Sequence, residues 1–402
     1  MLIVKKFGGS SLATPARIIA VARRCVEDYR KGDDVVVVLS AIGKTTDELI
    51  SLARQVADRP PKREVDMLIS TGEQVAAAIM AIAMSALDIR AVSLNAFQVG
   101  MKTTGSYGNA RFRRIDTDRI RHELEDRKIV IVTGFQGINK YDDVTTLGRG
   151  GSDTTAVALA SALQADACEI YTDVDGIYTA DPRICPNARK LPEISYDEML
   201  DLASLGAAVL HNRAVEMAKK YNVTVVVRSS MNRNEGTVVR EVTGLERMLI
   251  SGVALDKNVD RIAVIGLRDE PGTAFRLFSL FAKAGINIDL ILQSSGHDGM
   301  KDIAFTLADG DADEALELLE KNKARLRFRT AEVQKDVAKL SVVGVGMMSN
   351  PGVAAKMFEA LYNEGINIQM ISTSEIRITV LVDEREGEHA VRAVHDAFEL
   401  SE

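Results

Sequence analysis

The sequence is poor in the residues that build metal centres and disulfide frameworks. Its 402 residues include no tryptophan, three cysteines and five histidines. Cys25, Cys168 and Cys185 are too scattered for a zinc site or a redox couple, so we expect three reduced thiols. The histidines show no ligand spacing either, except that His389 and His395 lie six residues apart. A transition-metal site is therefore not expected.

The chain also lacks an excess of basic residues and long apolar runs. Fifty Lys and Arg against 57 Asp and Glu give a net charge of −7, which disfavours nucleic acid or an anionic membrane as a partner. No stretch approaches about 18 uninterrupted apolar residues, and the apolar start at residues 1–4 is too short for a signal peptide. These absences predict a soluble, cytoplasmic protein with no membrane or nucleic-acid partner.

The first 245 or so residues alternate short apolar runs with helical patterns. This alternation predicts an α/β domain in which helices cover a largely parallel sheet. The predicted strands are residues 2–4, 35–39, 129–133, 169–172 and 224–227. Thr14 followed by Pro15 predicts the start of a helix, and Ser195 with Glu198 forms a capping-box signature.

After residue 245 an internal repeat appears with a shift of 80 residues. The Pro-Gly pair at 271–272 recurs at 351–352, and Gly-Ile-Asn-Ile at 285–288 recurs at 365–368. Each copy runs strand, Pro-Gly turn, helix, strand, strand, helix, which predicts two ferredoxin-like β-α-β-β-α-β modules. They could serve only packing or dimerisation. The backbone N–H groups at each Pro-Gly turn favour regulatory modules that bind a small carboxylate ligand.

Three polar stretches indicate phosphate and carboxylate chemistry. The run KFGGSS at residues 6–11 joins a predicted strand to a helix; its glycines let the backbone approach a phosphate, and Lys6 adds positive charge. It matches neither a Walker loop nor a dinucleotide motif. In residues 145–155, Arg149 could clamp a carboxylate, whereas Asp153 could also be a simple helix cap. Residues 172–183 follow a strand end, where open α/β sheets bind ligands.

With these motifs in order, the chain resembles the aspartate kinases, in particular the monofunctional type with two carboxy-terminal ACT modules. The resemblance covers essentially the whole chain. It rests on residues 6–11, 40–47 (SAIGKTTD), 70–73 (STGE), 145–155 and 172–183. It implies an amino-acid-kinase α/β/α sandwich with a mostly parallel sheet, followed by two ferredoxin-like ACT modules. The implied boundaries are 1–245 for the catalytic domain, 246–335 for the linker and first ACT module, and 336–402 for the second.

The activity that the resemblance implies is ATP-dependent phosphorylation of the aspartate side-chain carboxylate to 4-phospho-L-aspartate, the first step toward lysine, threonine and methionine. A carboxylate is already nucleophilic, so positioning and positive charge must supply most of the catalysis. The expected cofactor is ATP with Mg²⁺ held mainly by ATP oxygens and water, with no protein metal site. Two alternatives stay open: a kinase for glutamate, a carbamate or a nucleotide, and a non-catalytic amino-acid sensor.

The resemblance also implies roles for individual residues. The implied catalytic residues are Lys6, Glu73 and Asp153. The implied ATP-binding residues are Lys6, Phe7, Gly8, Gly9, Ser40, Ser152, Thr172, Asp173, Tyr178, Thr179, Ala180, Asp181, Pro182 and Arg183. The implied aspartate-binding residues are Thr45, Thr46, Asp47, Glu73, Arg149, Gly150, Gly151 and Ser152. Lys6 would stabilise the transferring phosphoryl group, Glu73 would bind the ammonium group of aspartate, and Arg149 would bind a carboxylate.

In the repeats, the resemblance implies feedback control by lysine, threonine or both. The implied effector-binding residues of the first module are Asp269, Glu270, Pro271, Gly272, Thr273, Ala274, Asn287, Ile288, Asp289 and Gln293. Those of the second module are Val353, Ala354, Asn367, Ile368, Ser374 and Glu375. Asp289 corresponds to Gln369 in the second copy, so the two modules need not bind the same ligand. A homo-oligomer, or an assembly of catalytic and regulatory subunits, is expected through the ACT modules.

Two positions need separate mention. Ala208 stands where such kinases commonly have a lysine near the nucleotide, so no role is assigned to it. Met248 lies at the junction where some relatives start a separate regulatory subunit.

Overall fold

The computed structural model describes every residue except 206–208, 243–248, 295, 297, 348–349 and 402. Ala208 and Met248 therefore lie outside the described residues. The described residues form two compact units. Within the described residues, the first unit comprises 1–177, 190–203 and 209–242, and the second comprises 178–189, 204–205 and, apart from the gaps given above, 249–401. The chain thus crosses between the units several times, and the sequence-based boundaries at 245 and 335 stay predictions.

Most elements before residue 240 build the first unit. Its strands are β1 (Leu2–Phe7), β2 (Asp34–Leu39), β3 (Ala91–Leu94), β4 (Lys102–Thr103), β5 (Phe112–Arg114), β6 (Ile129–Thr133), β7 (Gln136–Ile138), β8 (Val144–Thr146), β9 (Ala167–Thr172), β10 (Glu193–Ile194), β11 (Val225–Ser229) and β12 (Thr237–Val239). The helices of this stretch are α1 (Pro15–Arg30), α2 (Thr45–Val56), α3 (Lys62–Ile69), α4 (Thr71–Ser85), α5 (Asp118–Glu125), α6 (Gly151–Leu163), α7 (Tyr196–Ser204) and α8 (Asn212–Tyr221).

The main sheet of the first unit has eight strands in the order β10-β12-β11-β9-β1-β2-β6-β3, and all pairs are parallel except β11 with β12. Apolar residues of α1 and α4 pack on one face of it, and α6 packs on β1 and β9. The all-valine centre of β2 is fully buried, as a strand covered on both faces requires. A small sheet of order β5-β4-β7-β8 completes the unit. The α/β/α sandwich is therefore confirmed.

Local sequence signals explain where several elements begin. The hydroxyl of Thr14 accepts a hydrogen bond from the Arg17 N–H at 3.3 Å, and Ser195 and Glu198 form the predicted capping box. Strand β1 runs three residues further than predicted, because the buried Lys5 ammonium is neutralised by Asp28 and Glu169, each at 2.6 Å. This extension places Lys6 near the end of the strand, just before the glycines.

The second unit contains the repeat. Its strands are β13 (Gly252–Arg268), β14 (Ile291–Gln293), β15 (Met300–Ala308), β16 (Thr330–Val343), β17 (Met370–Thr373) and β18 (Arg377–Asp383). Its main helices are α9 (Thr273–Ala284), α10 (Ala312–Lys321), α11 (Lys323–Leu326), α12 (Val353–Asn363) and α13 (Gly387–Ala397). The strands form one antiparallel sheet in the order β14-β15-β13-β16-β18-β17.

Each module has its own apolar core, and a small third cluster, Val259, Leu290, Val337, Met370 and Leu381, combines residues of both modules. The first module is a consecutive β-α-β-β-α-β unit. The second module differs from the predicted order, because the strand that takes the place of its sixth strand comes before all its other elements in the chain. This strand is the amino-terminal part of β13, residues 252–256, which pairs with residues 339–343 of β16. The two long strands β13 and β16 therefore run through both modules. Two ferredoxin-like modules are confirmed, and the second is circularly permuted.

Candidate active site

A cavity of about 290 Å³ lies in the first unit, where the carboxyl ends of the neighbouring parallel strands β1, β2 and β6 meet. It is lined by Lys6, Gly8, Gly9, Ser40, Ala41, Gly43, Thr46, Glu73, Phe135, Gly148, Arg149, Gly150, Gly151, Ser152 and Asp153. Sequence motifs that are far apart in the chain thus converge at one sheet edge. This is where an open α/β sheet binds its ligand.

A buried ion pair lines the cavity. The Lys6 Nζ atom lies 2.6 Å from Asp153 Oδ1, and both side chains are about one-tenth exposed. Asp153 lies in the first turn of α6, which begins after Gly150 without a side-chain cap. The carboxylate therefore orients the lysine, and Asp153 is not the simple helix cap that the local sequence also allowed. The Lys6 ammonium group is thus held in place beside the glycine residues that follow it in the chain.

Glycine is required beside Lys6 for steric reasons. A Cβ atom on Gly9 would lie 2.8 Å from the carbonyl oxygens of both Ala41 and Gly43, which are rigid backbone. A Cβ on Gly151 would lie 2.7 Å from the Phe135 ring. The two glycine-rich stretches can therefore approach their neighbours as closely as they do only without side chains. The Gly151 N–H itself donates to the Gly148 carbonyl at 3.0 Å and is not free for a phosphate.

Glu73 lies in the first turn of α4 and is 3 % exposed. Its Oε1 accepts a hydrogen bond from the Ala41 N–H at 3.0 Å, whereas its Oε2 has no hydrogen-bond partner among the described residues. Burial raises the pKa of this carboxyl to about 7, and the Ala41 hydrogen bond offsets only part of that effect. The side chain is a buried acceptor that suits a cationic ligand group.

The amino terminus of α6 forms another wall of the cavity. Gly150 precedes the helix with φ of 64°, in the left-handed region, and a Cβ there would clash with the His211 side chain. Gly150, Gly151 and Ser152 line the cavity at the positive end of the helix, and the exposed Arg149, which directly precedes them, lines it too. This wall favours an anionic group.

The structure separates the three candidate residues at the start of α2. Thr46 lines the cavity. The Thr45 hydroxyl donates a hydrogen bond to the Ile42 carbonyl at 2.7 Å, and Asp47 lies on the exposed side of the helix. Neither Thr45 nor Asp47 lines the cavity, so their roles stay predictions.

The implied ATP-binding residues fall into three groups. Lys6, Gly8, Gly9, Ser40 and Ser152 line the cavity. Phe7 is buried and stacks on Tyr171 with ring centroids 4.5 Å apart, and Thr172 and Asp173 follow at the end of β9. The remaining residues, Tyr178, Thr179, Ala180, Asp181, Pro182 and Arg183, belong to the second unit.

Some residues at the cavity or bonded to its loops were given no individual role in the sequence analysis. Ala41 and Gly43 of the motif at 40–47, Gly148 of the stretch at 145–155, and Phe135 line the cavity, but none carries a charged group that would have indicated a role. Ser230 was also missed, although its hydroxyl lies 2.8 Å from the Ser11 hydroxyl and donates to the Thr172 carbonyl at 3.2 Å. Its signal was available, since it follows the end of a predicted parallel strand.

The implied effector residues of the first module surround the start of α9 and the turn before β14. Asp269 pairs with Lys301 at 3.1 Å, and Glu270 pairs with Arg276 at 2.5 Å. Asp289 pairs with the buried Lys339 at 2.5 Å. Pro271, Gly272, Asn287 and Gln293 are exposed, the Thr273 hydroxyl donates to the Arg268 carbonyl, and Ala274 and Ile288 pack against the first module's core.

In the second module, Val353 lines a cavity of about 610 Å³ at the start of α12. Ala354 and Ile368 pack against the module's core. Asn367, Ser374 and Glu375 are exposed. The two sets of implied effector residues thus occupy equivalent turns of the two modules, with different polar partners.

Two further findings bear on the class of protein. Among the described residues, no group of three or more His, Cys, Asp or Glu side chains could hold a metal ion. One helical stretch, Lys62–Ser85, is long and apolar enough to cross a membrane by length and composition alone. It contains the buried Glu73 and packs Met80 and Met84 into the core of the first unit, as a core helix of a soluble protein does.

Comparison with known families gives matches along most of the chain. The model of the amino acid kinase family matches residues 1–229. Two ACT domain models match residues 261–325 and 340–398. The first unit and the two modules therefore correspond to separately known domain families.

Curated relatives match over the full length. An aspartokinase of Bacillus sp. (strain MGA3) is 50% identical over 401 residues, which cover 100% of this chain and 98% of the relative. Aspartokinase 2 of Bacillus subtilis (strain 168) is 48% identical with the same coverage.

Solved structures agree with these relatives. E. coli aspartokinase III in complex with aspartate and ADP is 27% identical with a TM-score of 0.84, and each chain is covered to 99%. The same enzyme in complex with lysine and aspartate has a TM-score of 0.78, again with 99% of each chain covered.

Proposed function

The chain belongs to the aspartokinase family and phosphorylates aspartate under allosteric control, and from this premise we propose how its own residues carry out and regulate the reaction. The observation on which the proposal rests is the Lys6–Asp153 pair at 2.6 Å inside a cavity that also contains Glu73 and Arg149. In this arrangement the cavity carries both positive and negative groups at fixed places. An amino acid and a phosphate can be bound there side by side.

Lys6 stabilises the phosphoryl group during transfer. Its ammonium group is oriented by Asp153, so little reorganisation is needed as charge develops on the phosphoryl oxygens. The Gly8 and Gly9 N–H groups and the Ser40 hydroxyl contact the phosphates. Two anions, the aspartate carboxylate and the ATP γ-phosphate, are thereby brought together against their repulsion.

Each charged group of aspartate binds to a cavity residue of opposite charge. The free Oε2 of Glu73 accepts a hydrogen bond from the substrate ammonium group, which supplies the partner that this buried oxygen lacks among the described residues. Arg149 and the start of α6 bind a substrate carboxylate, and Thr46 adds a hydroxyl. We assign Thr45 and Asp47 a supporting role at the start of α2.

The enzyme uses ATP, and Mg²⁺ would accompany it. Two carboxylates line the cavity, Asp153 and Glu73; the first is paired with Lys6 and the second holds the Ala41 N–H. This donor set fits a magnesium ion that is held mainly by phosphate oxygens and water, with at most one protein carboxylate. The ion, when bound, neutralises phosphate charge. Thr172 and Asp173, which follow the end of β9, bind the remainder of the nucleotide, and the nucleotide roles of Tyr178 to Arg183 stay predictions.

A panel of phosphate acceptors tests this assignment. ADP release would be measured with MgATP and aspartate, glutamate, carbamate or a nucleoside monophosphate, and acyl phosphates would be trapped with hydroxylamine. We expect hydroxamate formation with aspartate and at least about tenfold less with glutamate, whose longer side chain shifts the carboxylate by one methylene. Equal turnover of glutamate would overturn the substrate assignment. No ADP release with any acceptor would favour the amino-acid sensor.

The regulatory ligands are lysine, threonine or both, bound at the starts of α9 and α12. Helix amino termini suit the effector carboxylate, and Asp269, Glu270 and Glu375 can bind its ammonium groups. The same hydroxamate assay with lysine, threonine, both or neither separates the possibilities. Inhibition by one or both identifies the effector, whereas activity indifferent to both would leave the modules as assembly elements.

We also propose that the enzyme is a cytoplasmic homo-oligomer that associates through its ACT modules. The outer strands of the six-stranded sheet expose apolar side chains, with Ile291 and Leu292 on β14 about half exposed and Ile371 on β17 at 42 %. Such edges are open to pairing with another strand. Light scattering on the purified protein should give at least a dimer, and a monomer at micromolar concentration would refute the proposal.

A further inference from the structure

The loop at residues 147–150, here called the glycine loop, carries Arg149, which we propose to bind a substrate carboxylate. Gly148 and Gly150 have φ of 82° and 64°, in the left-handed region, and glycine has the greatest backbone freedom of all residues. The helix α6 that follows is held by packing, since each of its residues from Gly151 to Ala160 is buried. The last three residues of the glycine loop are at least partly exposed, so the loop depends on contacts from other elements.

The start of α8 contacts both ends of the glycine loop. The Arg213 guanidinium donates a hydrogen bond to the Leu147 carbonyl at 2.5 Å. The His211 side chain lies so close to Gly150 that a Cβ on this glycine would clash with it. His211 also caps α8, because its Nδ1 accepts a hydrogen bond from the Arg213 N–H at 3.3 Å. Two residues at one helix end therefore hold the first and the last residue of the loop.

The same guanidinium binds a second segment, which lies against the glycine loop. Arg213 donates to the Asn109 side-chain oxygen at 3.1 Å and to the Ala110 carbonyl at 2.7 Å. The two segments are in close contact, since a Cβ on Gly148 would lie 3.0 Å from the Gly108 carbonyl oxygen. A lysine has one ammonium group on a flexible stem and could not hold three acceptors in this fixed arrangement, whereas the planar guanidinium can.

Among the described residues, no carboxylate pairs with the Arg213 guanidinium. Its acceptors are two carbonyl oxygens and one amide oxygen, which are all neutral. Burial lowers the pKa of this guanidinium, the neighbouring Arg111 lowers it further, and Glu216 offsets only part of both effects. Burying a charge without a charged partner costs free energy, and such groups cluster at functional sites. The place of Arg213 beside an anion-binding loop therefore indicates a functional role.

We propose that Arg213 is a positioning residue for aspartate: its hydrogen bonds to Leu147 and to residues 109–110 fix the glycine loop, so that Arg149 meets the substrate carboxylate in the correct place. Arg213 is not among the residues that line the cavity, so it acts through the loop. The inference rests on the proposed role of Arg149 and the start of α6 in binding aspartate.

Steady-state kinetics of two Arg213 variants test this role. Arg213→Met removes all three hydrogen bonds, and Arg213→Lys keeps the charge but not the fork. We expect both to raise KM for aspartate at least about tenfold and to change kcat and KM for ATP less than about threefold, because Lys6, Gly8 and Gly9 lie on another loop. Lys220→Met, at the exposed end of the same helix, should change none of the three constants. A wild-type KM for aspartate in Arg213→Lys would overturn the positioning role.

Chemical rescue separates positioning from a general loss of stability. Guanidinium ion added to Arg213→Ala, far below the concentrations that unfold proteins, should lower KM for aspartate toward the wild-type value, and the same concentration of sodium chloride should not. Thermal unfolding establishes that each variant is folded at the assay temperature, and Arg213→Lys carries the test if the other variants do not fold. An equal rise in both KM values, or a lower Tm with an unchanged KM for aspartate, would overturn the positioning role.

Arg149→Ala distinguishes failure of the inference from failure of the proposed function. The double variant Arg149→Ala/Arg213→Met should raise KM for aspartate by less than the product of the two single effects, since Arg213 acts through the loop that carries Arg149. If Arg149→Ala raises KM for aspartate and Arg213→Met does not, the loop binds aspartate and the role of Arg213 is refuted. If Arg149→Ala leaves KM for aspartate unchanged, the aspartate assignment of this loop is refuted, and the positioning role falls with it.

Discussion

Single residues at this site act through their surroundings as much as through their own chemistry. Glu73 is an ordinary carboxyl in the sequence motif STGE, but the fold removes it from water and leaves one oxygen without a partner among the described residues. Burial raises its pKa to about 7. The motif was enough to identify this residue in the sequence. Its burial could not be predicted from the sequence, since it depends on how α4 packs under the loop at Ala41.

The raised pKa of Glu73 makes the folded protein less stable as the pH rises. A carboxyl with a folded-state pKa of about 7 and an unfolded value near 4.5 binds its proton more tightly in the folded state, so stability is lost between about pH 4.5 and 7. Glu73→Gln should therefore stabilise the substrate-free enzyme at pH 8 by up to about 3 kcal/mol and much less at pH 5.

Differential scanning calorimetry at the two pH values measures this effect. Glu48→Gln, at an exposed position on α2, is the matched control and should change Tm little at either pH. The stabilised Glu73→Gln enzyme should also have a strongly raised KM for aspartate. Equal Tm values for wild type and Glu73→Gln at pH 8 would show that the carboxyl is not buried as described.

At the scale of elements, the turn after β1 is decided by sterics. Gly9 lies against two backbone carbonyls that have no room to move, whereas a Cβ on Gly105 would meet no atom within 4 Å, and the backbone there is open to any residue. Gly9→Ala should displace the turn and Lys6 with it, and lower kcat about 100-fold. Gly105→Ala should leave kcat unchanged. Comparable kcat values for the two variants would refute the close contact between Gly9 and the two backbone carbonyl groups.

The long strands β13 and β16 offer a second element-scale test. Lys339 is 5 % exposed and pairs with Asp256 at 3.1 Å and Asp289 at 2.5 Å, while Lys335 on the same strand forms an exposed pair with Asp313. Lys339→Met leaves two carboxylates without their partner and should destabilise the second unit by about 2 kcal/mol. This loss is smaller than that expected for a fully buried ion pair, because the Asp289 side chain reaches solvent.

Lys335→Met is the control for this experiment and should barely change the urea midpoint, since exposed ion pairs contribute little. Urea unfolding followed by circular dichroism compares the two variants. If both shift the midpoint equally, the buried network does not stabilise the unit.

The same elements mark the limit of sequence reasoning. Apolar runs and caps predicted the strands and helix starts that depend on nearby residues in the chain, including Thr14 and Ser195. The pairing of residues 252–256 with 339–343 was not predictable, because it joins strands more than 80 residues apart and the repeat itself suggested two consecutive modules. The Arg213–Leu147 contact, across 66 residues, is hidden for the same reason.

At the scale of the whole molecule, allosteric control requires that effector and substrates affect each other's affinity. If lysine or threonine lowers the affinity for ATP by some factor, ATP must lower the effector affinity by the same factor. We expect effector Kd, measured by calorimetry, to rise at least about fivefold when a non-hydrolysable ATP analogue and aspartate are saturating. Equal effector Kd in both conditions would eliminate this coupling and with it the regulatory proposal.

The central claim is that Lys6, oriented by Asp153, stabilises the transferring phosphoryl group. The most direct test is the single-turnover rate of aspartyl phosphate formation, trapped with hydroxylamine, for wild type and Lys6→Ala at saturating aspartate and MgATP. Lys6→Ala should lower the rate about 100- to 1,000-fold while KM for aspartate stays within a fewfold of wild type. An unchanged rate, or a loss seen only in aspartate affinity, would contradict the account.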